Sequence, residues 1–133
     1  MITPLPRALA TQLLLIRTAL LAGLLLFGAA TWYIRRGTTI VPMPADRAQQ
    51  FGYIFIALAV SALGGMFFVR SRLEKGVEGT AAVQQYMTGY AMAEGTALFG
   101  GVTWYMGGNQ NWYIAGVLLM VTAFQILPIK RES

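Results

Sequence analysis

Four apolar runs dominate the sequence, and each is about as long as a bilayer is thick. They cover about residues 13–34, 51–69, 83–106 and 112–129, where an α-helix needs roughly 17–25 residues to cross the hydrocarbon layer. A chain inside lipid must satisfy its backbone N–H and C=O groups internally, so runs of this length are expected to be helical. Charged residues make up 11% of the 133 residues, against about 25% in soluble domains. The expected fold is an all-α membrane protein: a single domain, residues 1–133, of four transmembrane helices in an antiparallel bundle.

The flanks of these runs carry the topology. Arg17, Arg35-Arg36, Asp46-Arg47, Arg70-Ser71-Arg72 and Lys130-Arg131 bracket the apolar stretches, with Trp32, Trp104 and Trp112 near their ends. Four spans put the N-terminus, the second loop and the C-terminus on one side. That side holds Arg7, Arg17, Arg70, Arg72, Lys75, Lys130 and Arg131, and the other holds Arg35, Arg36 and Arg47. Cytoplasmic loops carry the excess of Lys and Arg. Both termini are therefore expected in the cytoplasm of a bacterial inner-membrane protein. Pro4 and Pro6 suit the entry to the first helix, Arg17 is expected to snorkel to the headgroups, and Pro128 is expected to end the fourth helix.

Composition excludes several functions. The chain has no cysteine and no histidine, so it offers no thiolate, no imidazole base, no haem ligand of the usual kind and no ordinary zinc site. No nucleophile–base pair or phosphate-binding glycine loop is present, and an enzyme is not expected. The net charge of +5 comes from residues at the ends of apolar runs, which points to headgroups and not to nucleic acid.

Two features inside the spans stand out. Gly89, Ala93, Ala97 and Gly101 repeat at four-residue spacing in the third span, as do Ala57, Ser61 and Gly65 in the second. Small residues let membrane helices approach closely, so the two stripes are expected to face each other in a hairpin. The second feature is Glu94, the one acid in the middle of a span; Asp46, Glu74, Glu78 and Glu132 lie in connections or the tail. A carboxyl group at that depth costs about 2.5–3.5 kcal/mol on insertion scales, and by default it marks a functional site. Tyr90, Ser61 and Thr96 are its expected hydrogen-bonding neighbours. With no Lys or Arg expected at its depth, the carboxyl is expected to be protonated.

The segment Gly89-Tyr90-Ala91-Met92-Ala93-Glu94-Gly95-Thr96-Ala97-Leu98-Phe99-Gly100 resembles the acid-bearing helix of the ATP synthase c subunit, the proteolipid. In that family small residues surround one carboxylate, and a Leu-aromatic-Gly step follows. The resemblance covers the second and third spans with the short charged loop between them. It implies that Glu94 carries a proton or a sodium ion. The chain also resembles small four-span bacterial membrane proteins with the same AEGxALFG-type helix, a likeness that implies no activity.

Three readings follow. The first is an accessory or structural subunit of a larger energy-transducing membrane complex, with other membrane subunits and lipid as partners and Glu94 tying helices together. The second is a proton or cation translocation subunit with Glu94 as the carrier. The third is pigment, quinone or lipid binding at the helix faces.

Overall fold

The computed structural model describes residues 2–37, 39 and 41–132; Thr38 and Ile40 of the first loop lie outside them. Four helices follow one another: α1 (Arg7–Gly37), α2 (Ala45–Glu74), α3 (Gly79–Tyr105) and α4 (Asn111–Ile126). Among the described residues there is no strand, only an isolated parallel bridge between Leu5 and Arg131. The fold is all-helical among the described residues, as the length of the apolar runs predicts. The helices outrun the apolar segments because Asp46-Arg47 and Arg70 to Glu74 continue the helical turns into polar territory, where Arg and Glu are good helix formers and an acid suits the first turn. Only α4 is shorter than expected. It stops at Ile126, since a residue before proline is pushed out of the helical region and Leu127 precedes Pro128.

Contacts at the two ends fix the directions. At one end the Met43 amide donates to the Gly107 carbonyl (3.1 Å), joining the first and third loops. At the other, an Arg70 Nη donates to the Ile126 carbonyl (2.8 Å). The chain therefore runs up, down, up and down. The two tails meet at the Arg70 end: the Leu5 amide donates to the Lys130 carbonyl (2.8 Å), and the Glu132 amide to the Leu5 carbonyl (2.9 Å). This pairing buries Ile2 and Leu5.

α3 is the axis. It packs against α1, α2 and α4, whereas α1 and α2 do not meet. Its closest partner is α4. A Cβ built on Gly116 would lie 2.5 Å from the Ala97 Cα, and one on Gly100 would lie 2.5 Å from the Trp112 carbonyl oxygen. The turn between them is a Schellman motif: Gly107 takes φ +98°, its amide donates to Trp104 O, and the Gly108 amide donates to Thr103 O. That geometry favours glycine at the first position.

The small-residue stripes do not face each other as expected. Gly89, Ala93, Ala97 and Gly101 are all buried, but they turn toward different neighbours. Gly89 lies against Leu127 and Val69, and Gly101 against Phe27 and Tyr113. A strict four-residue repeat advances about 40° around a helix at each step, so over three steps it passes from one neighbour to the next. On α2 the buried face is instead Gly52, Phe55, Ala62, Met66, Val69 and Leu73. With the half-buried Ala59 between Phe55 and Ala62, these alternate three- and four-residue steps, the spacing that keeps one seam against a partner in a left-handed bundle. Ala57 and Ser61 are consequently exposed, while Gly65 of that stripe packs against Met92 of α3.

Two helices, α1 and α2, are long and apolar enough to cross a membrane. α3 interleaves Gly, Thr, Tyr and Glu94 with its apolar residues, and α4 has 16 residues, about 24 Å.

Gly116→Val is expected to drive the α3 and α4 backbones apart, at about 1–3 kcal/mol for overpacking. Gly64→Val, at a position with open space around it, is expected to be near neutral. Thermal unfolding in detergent, followed by helical circular dichroism, compares the two. Equal melting would show that the α3–α4 crossing is not the tight point.

Candidate functional site

Three helices surround α3 unevenly and leave one arc of it open. Gly101 meets Phe27 of α1, Ala97 and Gly100 meet α4, and Met92 meets Gly65 of α2. Since α1 and α2 do not touch, α3 is uncovered between them, where Ala91, Gly95 and Val102 are exposed and Glu94 and Leu98 are half-buried. Glu94 sits at the α1 side of this arc, about 100° around the helix from the buried Ala93. Among the described residues nothing donates a hydrogen bond to its carboxyl group, and the ion pair is Arg70–Glu74 (3.0 Å).

The expected neighbours of Glu94 are drawn elsewhere. Tyr90 is fully buried, and its hydroxyl donates to the Leu127 carbonyl (2.6 Å). The Thr96 hydroxyl donates to the Met92 carbonyl (3.0 Å) in its own helix, with the Leu58 carbonyl of α2 at 3.5 Å. Ser61 is exposed. Ser61 and Thr96 do come together, at the α2 edge of the open arc. There they line a groove of about 350 Å³ with Leu58, Ala62, Ala91, Met92 and Gly95. Glu94 and Tyr90 do not line it.

What holds Tyr90 is the end of α4. The last carbonyls of a helix have no partner within it, and leaving them bare in an apolar layer is costly. Here three side chains reach across: Arg70 to Ile126 O, Tyr90 to Leu127 O and Tyr86 to Pro128 O (2.8 Å). Arg35 does the same at the opposite end, donating to Trp104 O (2.9 Å) and Gly108 O (3.1 Å) at the C-terminus of α3. Cationic groups suit these helix ends electrostatically as well.

Arg17 is half-buried. Its guanidinium lies 4.7 Å from the centre of the Phe124 ring and beside the Tyr90 hydroxyl. A half-buried cation therefore lies beside α3 about one turn from Glu94, without pairing with it among the described residues. Its attraction to the ring face and the phenol oxygen replaces part of the lost hydration.

Sequence reasoning also missed the seat of Tyr113. Its hydroxyl donates to the Leu24 carbonyl of α1 (2.7 Å), and a Cβ on Gly28 would clash with that hydroxyl. An isolated glycine beside apolar residues gave no periodic signal, although Gly28 and Tyr113 form a knob in a hole. Among the described residues no three acidic, His or Cys side chains converge to hold a metal ion.

Tyr86→Phe and Tyr90→Phe are each expected to cost about 1 kcal/mol, the net worth of one hydrogen bond. The loss should appear as faster amide hydrogen exchange over residues 123–130, while α1 is unchanged. Uniform protection in both variants would show that the cap is dispensable. No family model, curated protein or solved structure matches the chain.

Proposed function

We propose that the protein is a non-enzymatic, four-span subunit of a bacterial inner-membrane complex, with both termini cytoplasmic and an accessory or structural role. The lipid setting is supported by where the apolar residues lie. Only 17% of the most apolar window of α1 and 28% of that of α2 is buried within the protein, which is the reverse of a soluble core helix. Leu26, Val60 and Phe68 are 70%, 64% and 61% exposed, and a surface this apolar needs lipid or protein against it. In this reading α3 and α4, with 127–129 extending α4, complete the four spans.

The observation that carries the subunit role is Glu94. A carboxyl in mid-helix is half-buried on an open arc of α3, and among the described residues its own bundle gives it no partner. A neighbouring transmembrane helix laid between α1 and α2 meets small residues, Ala91 and Gly95, and offers a hydrogen-bonding group to Glu94. The carboxyl then ties this protein to its neighbour, where the sequence alone suggested a tie within the bundle.

The same exposure favours a second reading, in which Glu94 carries a proton or cation at the protein–lipid boundary, as the proteolipid resemblance implies. Glu94→Gln and Glu94→Leu separate the two. For a docking contact, Gln keeps the hydrogen bond and the co-purifying subunit. Leu weakens its retention roughly three-fold, from about 0.6 kcal/mol for such a bond. For a carrier, both variants abolish proton or cation flux into reconstituted vesicles. Native mass measurement after gentle extraction reads the first outcome, and a lone stable monomer in the wild type would refute the subunit role.

A further inference from the structure

At the charged end of the bundle, two acids and two cations line different depressions. Around the turn between α2 and α3, Glu78 and Glu132 line one depression with Thr3, Pro4 and the first turn of α3. Glu74 is held by Arg70. On the other side, Phe68, Arg72, Lys75 and Val77 line a separate depression of about 370 Å³ that contains no acid.

This second depression changes character along α2. Its lower edge is apolar: Phe68 is 61% exposed, next to Phe67 at 57%. Its upper edge is cationic, with Arg72 and Lys75 both exposed. The Arg72 guanidinium lies 5.7 Å from the centre of the Phe68 ring, so cation and apolar floor belong to one surface. The boundary between them falls where the exposed apolar residues of α2 give way to Arg70 and Arg72.

We propose that this depression binds an anionic phospholipid, its phosphate between Arg72 and Lys75 and an acyl chain along Phe68 and Val77. Two unopposed cations select a negative headgroup, and the apolar floor just below selects a molecule with a tail. Free phosphate satisfies only the first half, and a zwitterionic lipid only the second. The proposal rests on the membrane reading above but not on the role of Glu94.

The test adds phosphatidylglycerol or phosphatidylcholine to the protein in neutral detergent and counts retained lipids by native mass spectrometry. The wild type is expected to retain phosphatidylglycerol over phosphatidylcholine. Arg72→Gln and Lys75→Gln are expected to lose roughly five-fold each, and the double variant about twenty-five-fold, from about 1 kcal/mol per cation near an anionic surface. Arg36→Gln/Arg47→Gln, at the opposite end, is the control and should retain the lipid. Unchanged helical circular dichroism shows that each variant is folded. Retention that is equal for both lipids, or unaffected by the double variant, overturns the proposal. Displacement of the lipid by excess inorganic phosphate overturns it in favour of a simple anion site. A wild type found in the soluble fraction without detergent refutes the membrane reading itself, whereas a membrane-bound wild type without lipid preference refutes only the site.

Discussion

The rest of the bundle depends on one contact, the crossing of α3 and α4 where Ala97 meets Gly116 and Gly100 meets the Trp112 backbone. Two helices that touch at their backbones leave no room for side chains between them. The bulky residues of α4 are therefore pushed sideways: Tyr113 into the gap at Gly28 of α1, and Trp112 against Phe55 of α2, with ring centres 5.1 Å apart. Each outer helix is thus located by a side chain displaced from the central pair. This is why α1 and α2 stand on opposite sides without meeting, and why α3 keeps an open arc.

The fold class was legible in the sequence because length and hydropathy act along the chain. Four runs bounded by arginines and glycines give four helices, and Leu127-Pro128 gives the stop. Which face of each helix is buried was less legible. The repeat of Ala57, Ser61 and Gly65 looked like a contact, yet the seam on α2 follows the mixed three- and four-residue steps from Gly52 to Leu73. Four-residue repeats of small residues are conspicuous to the eye but wind around the helix. A mixed seam of Gly, Phe, Ala, Met, Val and Leu has no compositional signature.

The candidate site was half legible. Glu94 stood out as a lone acid in an apolar run, and its place in mid-helix needed no structure. Its surroundings could not be read from neighbouring letters, because Tyr90 and Thr96 had better acceptors available. Tyr90 reaches a carbonyl that α4 leaves bare only because that helix ends early. The partner chosen by each hydroxyl depends on where another helix stops, which is information from 37 residues away for Tyr90. Likewise, the ring of Phe124 beside Arg17 lies on another helix, and nothing in the letters around Arg17 names it.

The pairing of Leu5 with Lys130 and Glu132 has a mechanical meaning. Two backbone hydrogen bonds close the chain into a loop, so the two ends cannot separate until that short bridge has sheared. Tension applied across the termini therefore loads the bridge before any helix, and within the bundle the protein behaves as a ring. A domain fused at either end would be anchored at the seam where α1 enters and α4 has just ended, with a short lever and a common point of attachment.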